Sequence, residues 1–270
     1  MADELRGEEG EPDDGIRRLV VLGARNVTLA FPLIATACLN SSISRGVELF
    51  AAQGHGRSFC QRSFVPNRGL PSLLECGLWE DLSSRPPATE SWGLLTDVGN
   101  DLIYGLSVDH VARQVEQAIQ NLHQLGIPLT YVPPPLERIL QLNHLRYRVI
   151  KSILFPGPTV PWKIISQRIV ELNDRVIGMV ESIGGQVIPP SVRWYGIDPI
   201  HVRPTSRVEA WQTILNHWPF AEPPDVRWPG MRNASRFWKL APQERSYGKR
   251  SRRTPQPVLS LPDRKTIWLY

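Results

Sequence analysis

A three-layer α/β fold with a mainly parallel, five-stranded sheet is the architecture this sequence predicts, and three observations predict it. Short apolar runs alternate with stretches of helical periodicity over roughly 200 residues, the pattern of a parallel sheet covered on both faces. Apolar residues make up 41% and charged residues 21% of the 270, an ordinary globular balance that excludes wholesale disorder. Polar segments rich in Gly, Asn and Asp fall where the apolar runs end, which is where open parallel sheets build their sites.

The elements follow in order. Residues 1–15, MADELRGEEGEPDDG, are acidic and polar and read as a disordered leader. Their charge is opposite to the basic start of a signal peptide. Arg18–Leu22 is a buried strand and Thr28–Leu39 a helix. Gly23, Arg25, Asn26 and Pro32 interrupt residues 19–39 too often for a membrane span. Val47–Ala51 is a second strand, followed by a Gly/Arg/Ser-rich loop, Gln53–Pro71, and a helix over Pro71–Leu82. Trp92–Thr96 is a third strand, ending in Asp97-Val-Gly-Asn-Asp101. Val108, Val111, Val115, Ile119, Leu122 and Leu125 recur at helical spacing, and Gly126 stops that helix. Ile127–Val132 is a fourth strand, closed by Pro133–Pro135. Two helices, Leu136–Leu154 and Pro161–Ile183, are split by Pro156-Gly-Pro158. Gln186–Ile188 is a short fifth strand and Ser206–Asn216 a last helix. The main domain spans 16–218, and 219–270 is a basic, Pro-rich C-terminal extension whose end, Thr266–Tyr270, is strand-like.

Charge is unevenly placed. From Asp225 to Tyr270 there are 11 Lys/Arg against 3 Asp/Glu, while residues 1–224 hold the other 20 against 23. The segment QERSYGKRSRRTPQP is the one candidate contact for nucleic acid. No helix-turn-helix, RRM-like or zinc-finger pattern accompanies it, and it reads as a solvated wrap over the domain. Cys38, Cys60 and Cys76 form no CxxC pair, so they read as reduced thiols of a cytoplasmic protein. His110, His123 and His144 have no partner at metal spacing, and His217 follows a helix as a complement to its dipole. No metal is expected, and no membrane partner.

Four segments carry the chemistry: Gly23–Asn26 after the first strand, GHGRS (54–58) after the second, Gly99-Asn-Asp101 after the third, and Asp198-Pro-Ile-His201 after the fifth. In this order they resemble the blocks of the SGNH (GDSL-type) hydrolases, and LLTDVGNDLIYG and WYGIDPIHVRP look like one bacterial branch of that family. The resemblance covers about residues 18–216. It implies a flavodoxin-like αβα sandwich and ester hydrolysis, of carboxylic or acetyl esters, without a cofactor. It also implies His201 as base, Asp198 orienting it, and an oxyanion hole made by Gly56, Asn100 and the backbone N–H of residue 25.

The sequence departs from the family at one place: Arg25 stands where the nucleophilic serine belongs. A guanidinium has no lone pair to offer and stays charged, so covalent acyl transfer through position 25 is excluded and activity is expected to be impaired. Three readings follow from this departure. Ser58 or Thr28, or a water activated by His201, takes over as nucleophile. Alternatively, Arg25 and the oxyanion donors bind an anionic or acyl ligand in a pseudoenzyme. In the third, Arg25 folds back onto Asp198 or Asp101 and fills the pocket. His55 is placed in the same loop as Gly56, either lining the site or facing solvent.

Overall fold

The computed structural model describes residues 15–41, 46–65, 68–154, 160–218, 224–248 and 250–270. The leader, apart from Gly15, and the Pro156-Gly-Pro158 break lie outside them.

The chain runs β1 (Ile16–Leu22), α1 (Arg25–Asn40), β2 (Gly46–Ala52), β3 (Ser63–Val65), β4 (Arg68–Leu70), α2 (Leu78–Ser83), β5 (Glu90–Leu95), α3 (Asn100–Ile103) and α4 (Val108–Gln124). It continues through β6 (Leu129–Tyr131), α5 (Leu136–Leu140), α6 (His144–Leu154), α7 (Trp162–Ser182), β7 (Gln186–Val187), α8 (Arg207–Leu215) and α9 (Gly230–Trp238). It ends with β8 (Glu244–Tyr247), β9 (Arg250–Arg253), β10 (Leu259–Leu261) and β11 (Lys265–Leu269).

The main sheet has the order β10-β11-β2-β1-β5-β6-β7. It therefore carries seven strands where five were expected, because the C-terminal extension adds β10 and β11. All pairs are parallel except β10 with β11. β1 sits at the centre, and successive residues of it serve opposite faces, as the pleat requires. Val20 and Leu22 pack with Val111, Val115, Leu172 and Val176 of α4 and α7. Leu19 and Val21 pack with Phe31 and Ile34 of α1 and with Trp211 of α8. That two-sided burial is why Leu19–Leu22 reads as an unbroken apolar run.

The C-terminal extension is built into this core. Trp268 stacks on Phe50 of β2 at 5.1 Å, and Tyr270 lies parallel to the same ring at 6.3 Å. α9 lies on α1, with Phe237 edge-on to Phe31 at 6.4 Å. β8 and β9 complete a second, antiparallel sheet with β3 and β4, two three-residue strands inside the segment expected to be a loop.

Two helix expectations are corrected. Pro71–Leu82 is helical only from Leu78, and Leu136–Leu154 is two helices with a break at Gln141–Asn143. The break has a local cause: the Asn143 side chain accepts the Arg146 N–H at 2.9 Å, so it starts a new helix instead of continuing the old one. α1 also begins earlier than expected, at Arg25, which places that residue in the first turn of a helix.

Candidate functional site

The chain passes from β1 to β2 on one side and then crosses to β5 on the other, so a crevice opens above the C-terminal ends of these central strands. The turn after β1 is compressed. Gly23 donates its N–H to Ala52 at 3.1 Å, and a Cβ on Gly23 would come within 2.5 Å of Val27 Cγ2, so only glycine fits.

Asp97, just after β5, holds the next residues. Its Oδ2 accepts the N–H groups of Ala24 (2.8 Å) and Asn26 (3.0 Å), and its Oδ1 accepts the Asn26 side-chain amide at 2.6 Å. To do so Asp97 takes φ 60, a left-handed conformation uncommon for a non-glycine residue. Asn26 passes the constraint onward. It donates to the Ile200 carbonyl at 3.0 Å and accepts the Val202 N–H at 2.9 Å, fixing the segment on either side of His201.

Asp198 and His201 are joined by a 2.6 Å Nδ1–Oδ2 hydrogen bond. Asp198 Oδ1 also accepts the N–H groups of Ile200 and His201, so the three-residue spacing closes as a tight turn. Burial pushes the Asp198 carboxyl up, but the His201 contact and these two N–H groups outweigh it and hold the carboxyl below its usual range. The bond fixes Nδ1 toward the carboxylate and leaves Nε2 as the other ring nitrogen available for chemistry.

Gly56, at φ 62, follows β2. Its carbonyl accepts the Tyr104 hydroxyl at 2.7 Å, and the Asn100 side chain donates to the Arg57 carbonyl at 3.1 Å. Arg57 itself is buried, and its Nη1 donates to the carbonyls of Gln53 (3.2 Å) and Tyr270 (2.7 Å). The C-terminal segment is thus tied to the loop that carries Gly56.

Arg25, Gly56, Asn100 and His201 all line one cleft, together with His55, and Asp198 stands behind His201. The cleft is walled by Pro133–Pro135, Ile139, Ile169 and Tyr195. Arg25 does not fold back onto Asp198 or Asp101. Its Nε is buried without a hydrogen-bond partner, and among the described residues it makes no ion pair. Asp198 is taken by His201, and Asp101 by the hydroxyl of Ser58 and the N–H of Phe59. The His55 Nδ1 is likewise buried and unpartnered. Burial first, then the charges of Arg25, Arg68 and His201, bring the His55 pKa down to about 4. Arg207 is lowered too, by burial and then by Arg25. Arg25 is thus the guanidinium that lines the cleft, and Asp97, the carboxylate that lines it, is held by the N–H groups of Ala24 and Asn26.

The alternative nucleophiles are also engaged. The Ser58 hydroxyl is buried against Asp101 and accepts the N–H groups of Cys60 (3.0 Å) and Gln61 (2.9 Å). The Thr28 hydroxyl donates to the Ala24 carbonyl at 2.8 Å within the helix. The Cys60 thiol is pushed up by burial and by Asp101, which disfavours its thiolate. Sequence reasoning passed over Asp97 and Asn26 as positioning residues. The one signal was their type, Asn and Asp at a helix start and in a strained turn.

No family model matches the sequence, and no curated protein matches it. Among solved structures the chain is similar to SGNH- and GDSL-type hydrolases. One is an acetyl xylan esterase, AlAXEase, at 12% identity over 70% of this chain and 93% of that one, with a TM-score of 0.45. Another is the psychrotrophic esterase EstA from Pseudoalteromonas sp., at 11% identity over 74% and 97%, with a TM-score of 0.42. A third is a member of the lipolytic G-D-S-L family from Veillonella parvula, at 12% identity over 82% and 95%, with a TM-score of 0.38. At such identities and scores none of these proteins lends its activity to this chain, and the site is read from its own residues.

Proposed function

We propose that this protein binds a small anionic or acyl ligand in a cleft of SGNH-hydrolase type, and that it does not hydrolyse esters through a covalent intermediate. The observation that carries the reading is Arg25, a guanidinium whose Nε is buried without a partner at the crest where the family places its serine. An unpaired buried donor is costly, and a carboxylate or phosphate is the group that matches a guanidinium fork. Gly56, Asn100 and the backbone N–H of Arg25 supply further donors at the same end, as the resemblance assigns them. Ser58, Thr28 and Cys60 offer no free, activated nucleophile.

A second reading has its own support. The 2.6 Å Asp198–His201 contact keeps the imidazole oriented as a base, and a water on Nε2 would give slow hydrolysis.

Hydrolysis of p-nitrophenyl acetate and butyrate by wild type, Arg25→Ser and His201→Ala separates the two, alongside calorimetric titration with butyrate and with inorganic phosphate. The binding reading expects no turnover by wild type and measurable binding of at least one anion. Arg25→Ala should weaken that binding by about tenfold to a hundredfold, the range for a hydrogen bond to a charged group. Turnover by wild type that disappears in His201→Ala would instead establish the activated-water route.

A further inference from the structure

Beside the cleft the molecule presents an apolar collar to solvent. On α6, Leu145 is 70% exposed and Val149 52%, and being four residues apart they share one face. Leu140, next to the cleft residue Ile139, is 47% exposed, and Ile197, next to Asp198, is 85% exposed. The other face of α6 is anchored. Tyr147 is buried, packs on Trp162 at 5.0 Å and donates its hydroxyl to the Val160 carbonyl at 2.9 Å. Arg146 Nη2 reaches the Ile197 carbonyl at 3.4 Å, so α6 is joined to the segment that carries Asp198 and His201.

At about 100° per residue, Arg146 and Arg148 fall on the two sides of the Leu145–Val149 stripe. α6, HLRYRVIKSIL, contains no acidic residue. An aliphatic stripe bordered by arginines on both sides is the pattern of a helix that lies in a lipid interface, with its cations among anionic headgroups.

We infer that this collar docks the protein on an anionic lipid surface. A second copy of the chain fits the collar less well. An isologous contact repeats the same patch on both sides, so both partners would bring Arg146 and Arg148 to it, with no acidic residue on α6 to answer them. A nucleic acid fits less well too, since the collar's exposed apolar groups are aliphatic and offer no ring on which bases stack. The sequence expectation of no membrane partner rested on the lack of a span. No helix among the described residues is long and apolar enough to cross a membrane, but an interfacial helix has no such requirement.

The test is flotation of the full chain with phosphatidylcholine vesicles and with phosphatidylcholine–phosphatidylglycerol vesicles. Wild type should float with the anionic vesicles only, and release with rising salt. The pairs Leu145→Ser/Val149→Ser and Arg146→Gln/Arg148→Gln should each weaken vesicle binding by about tenfold or more, with unchanged melting curves. Their binding of butyrate in solution should also be unchanged. No binding to anionic vesicles, or binding that both pairs retain, overturns the docking. So does a dimer in size-exclusion chromatography that Leu145→Ser/Val149→Ser dissolves, or binding of single-stranded DNA that Arg146→Gln/Arg148→Gln abolishes. Arg25→Ala separates the two proposals: it should float with vesicles as wild type does while losing its anion in solution. Vesicle binding by a wild type that takes up no anion leaves the collar standing and sinks the cleft reading.

Discussion

Asp97 and Asn26 shape the candidate site as much as the residues that line it with charge. One carboxylate fixes the turn that presents Arg25, and one amide couples that turn to the segment around His201. The Asp198–His201 pair is legible in the sequence because its two members are three residues apart and one tight turn joins them. Asp97 and Asn26 are not legible in this way. Their partners lie 71 to 176 residues away along the chain, and no local pattern reports such bonds. His55 supplies a prediction at this scale. Its pKa in the folded protein is about 4 against an ordinary 6.5, so between these values the unfolded chain holds a proton that the folded chain refuses. The neutral ring's contribution to stability is thus complete above 6.5 and is lost as pH falls from there toward 4. Melting temperatures measured across that interval should decline, and His55→Asn should flatten part of the decline. An unchanged slope in the variant would remove His55 as its source.

Among the elements, most of those before Trp218 were legible, while α9, β8, β9 and β10 of the extension were not. α4 repeats its apolar residues over 17 residues and so shows a period, and Leu19–Leu22 of β1 stands out as a continuous apolar run. β3 and β4 are three residues each, too short for alternation to register. β11 is the element with the largest effect for its length, since Ile267 and Leu269 enter one core layer while Trp268 enters the other. Trp268→Ala should cost about 3–5 kcal/mol, the usual range for emptying a buried aromatic site, measurable by urea denaturation. A cost under 1 kcal/mol would mean that β11 is an ornament on the edge of β2.

For the molecule as a whole, the basic extension and the domain before it share both core layers, although their charges had set them apart in the sequence. Composition marks where charge changes, but it carries no information on which distant strands pair. Thermal unfolding should accordingly be one event: circular dichroism and tryptophan fluorescence should give coincident curves. Separate midpoints would show that the extension unfolds by itself.

The parallel pairing of β11 with β2 has a kinetic consequence. Lys265 meets Val47 and Leu269 meets Ala51, partners that lie 218 residues apart in a chain of 270. Until the late strand arrives, β2 is an open edge whose unpaired backbone N–H and C=O groups, set among apolar side chains, are ready to recruit a neighbouring molecule. Refolding from denaturant should therefore be slow, and its yield should fall as protein concentration rises. The same strand that closes the sheet also decides how long the chain remains prone to aggregation.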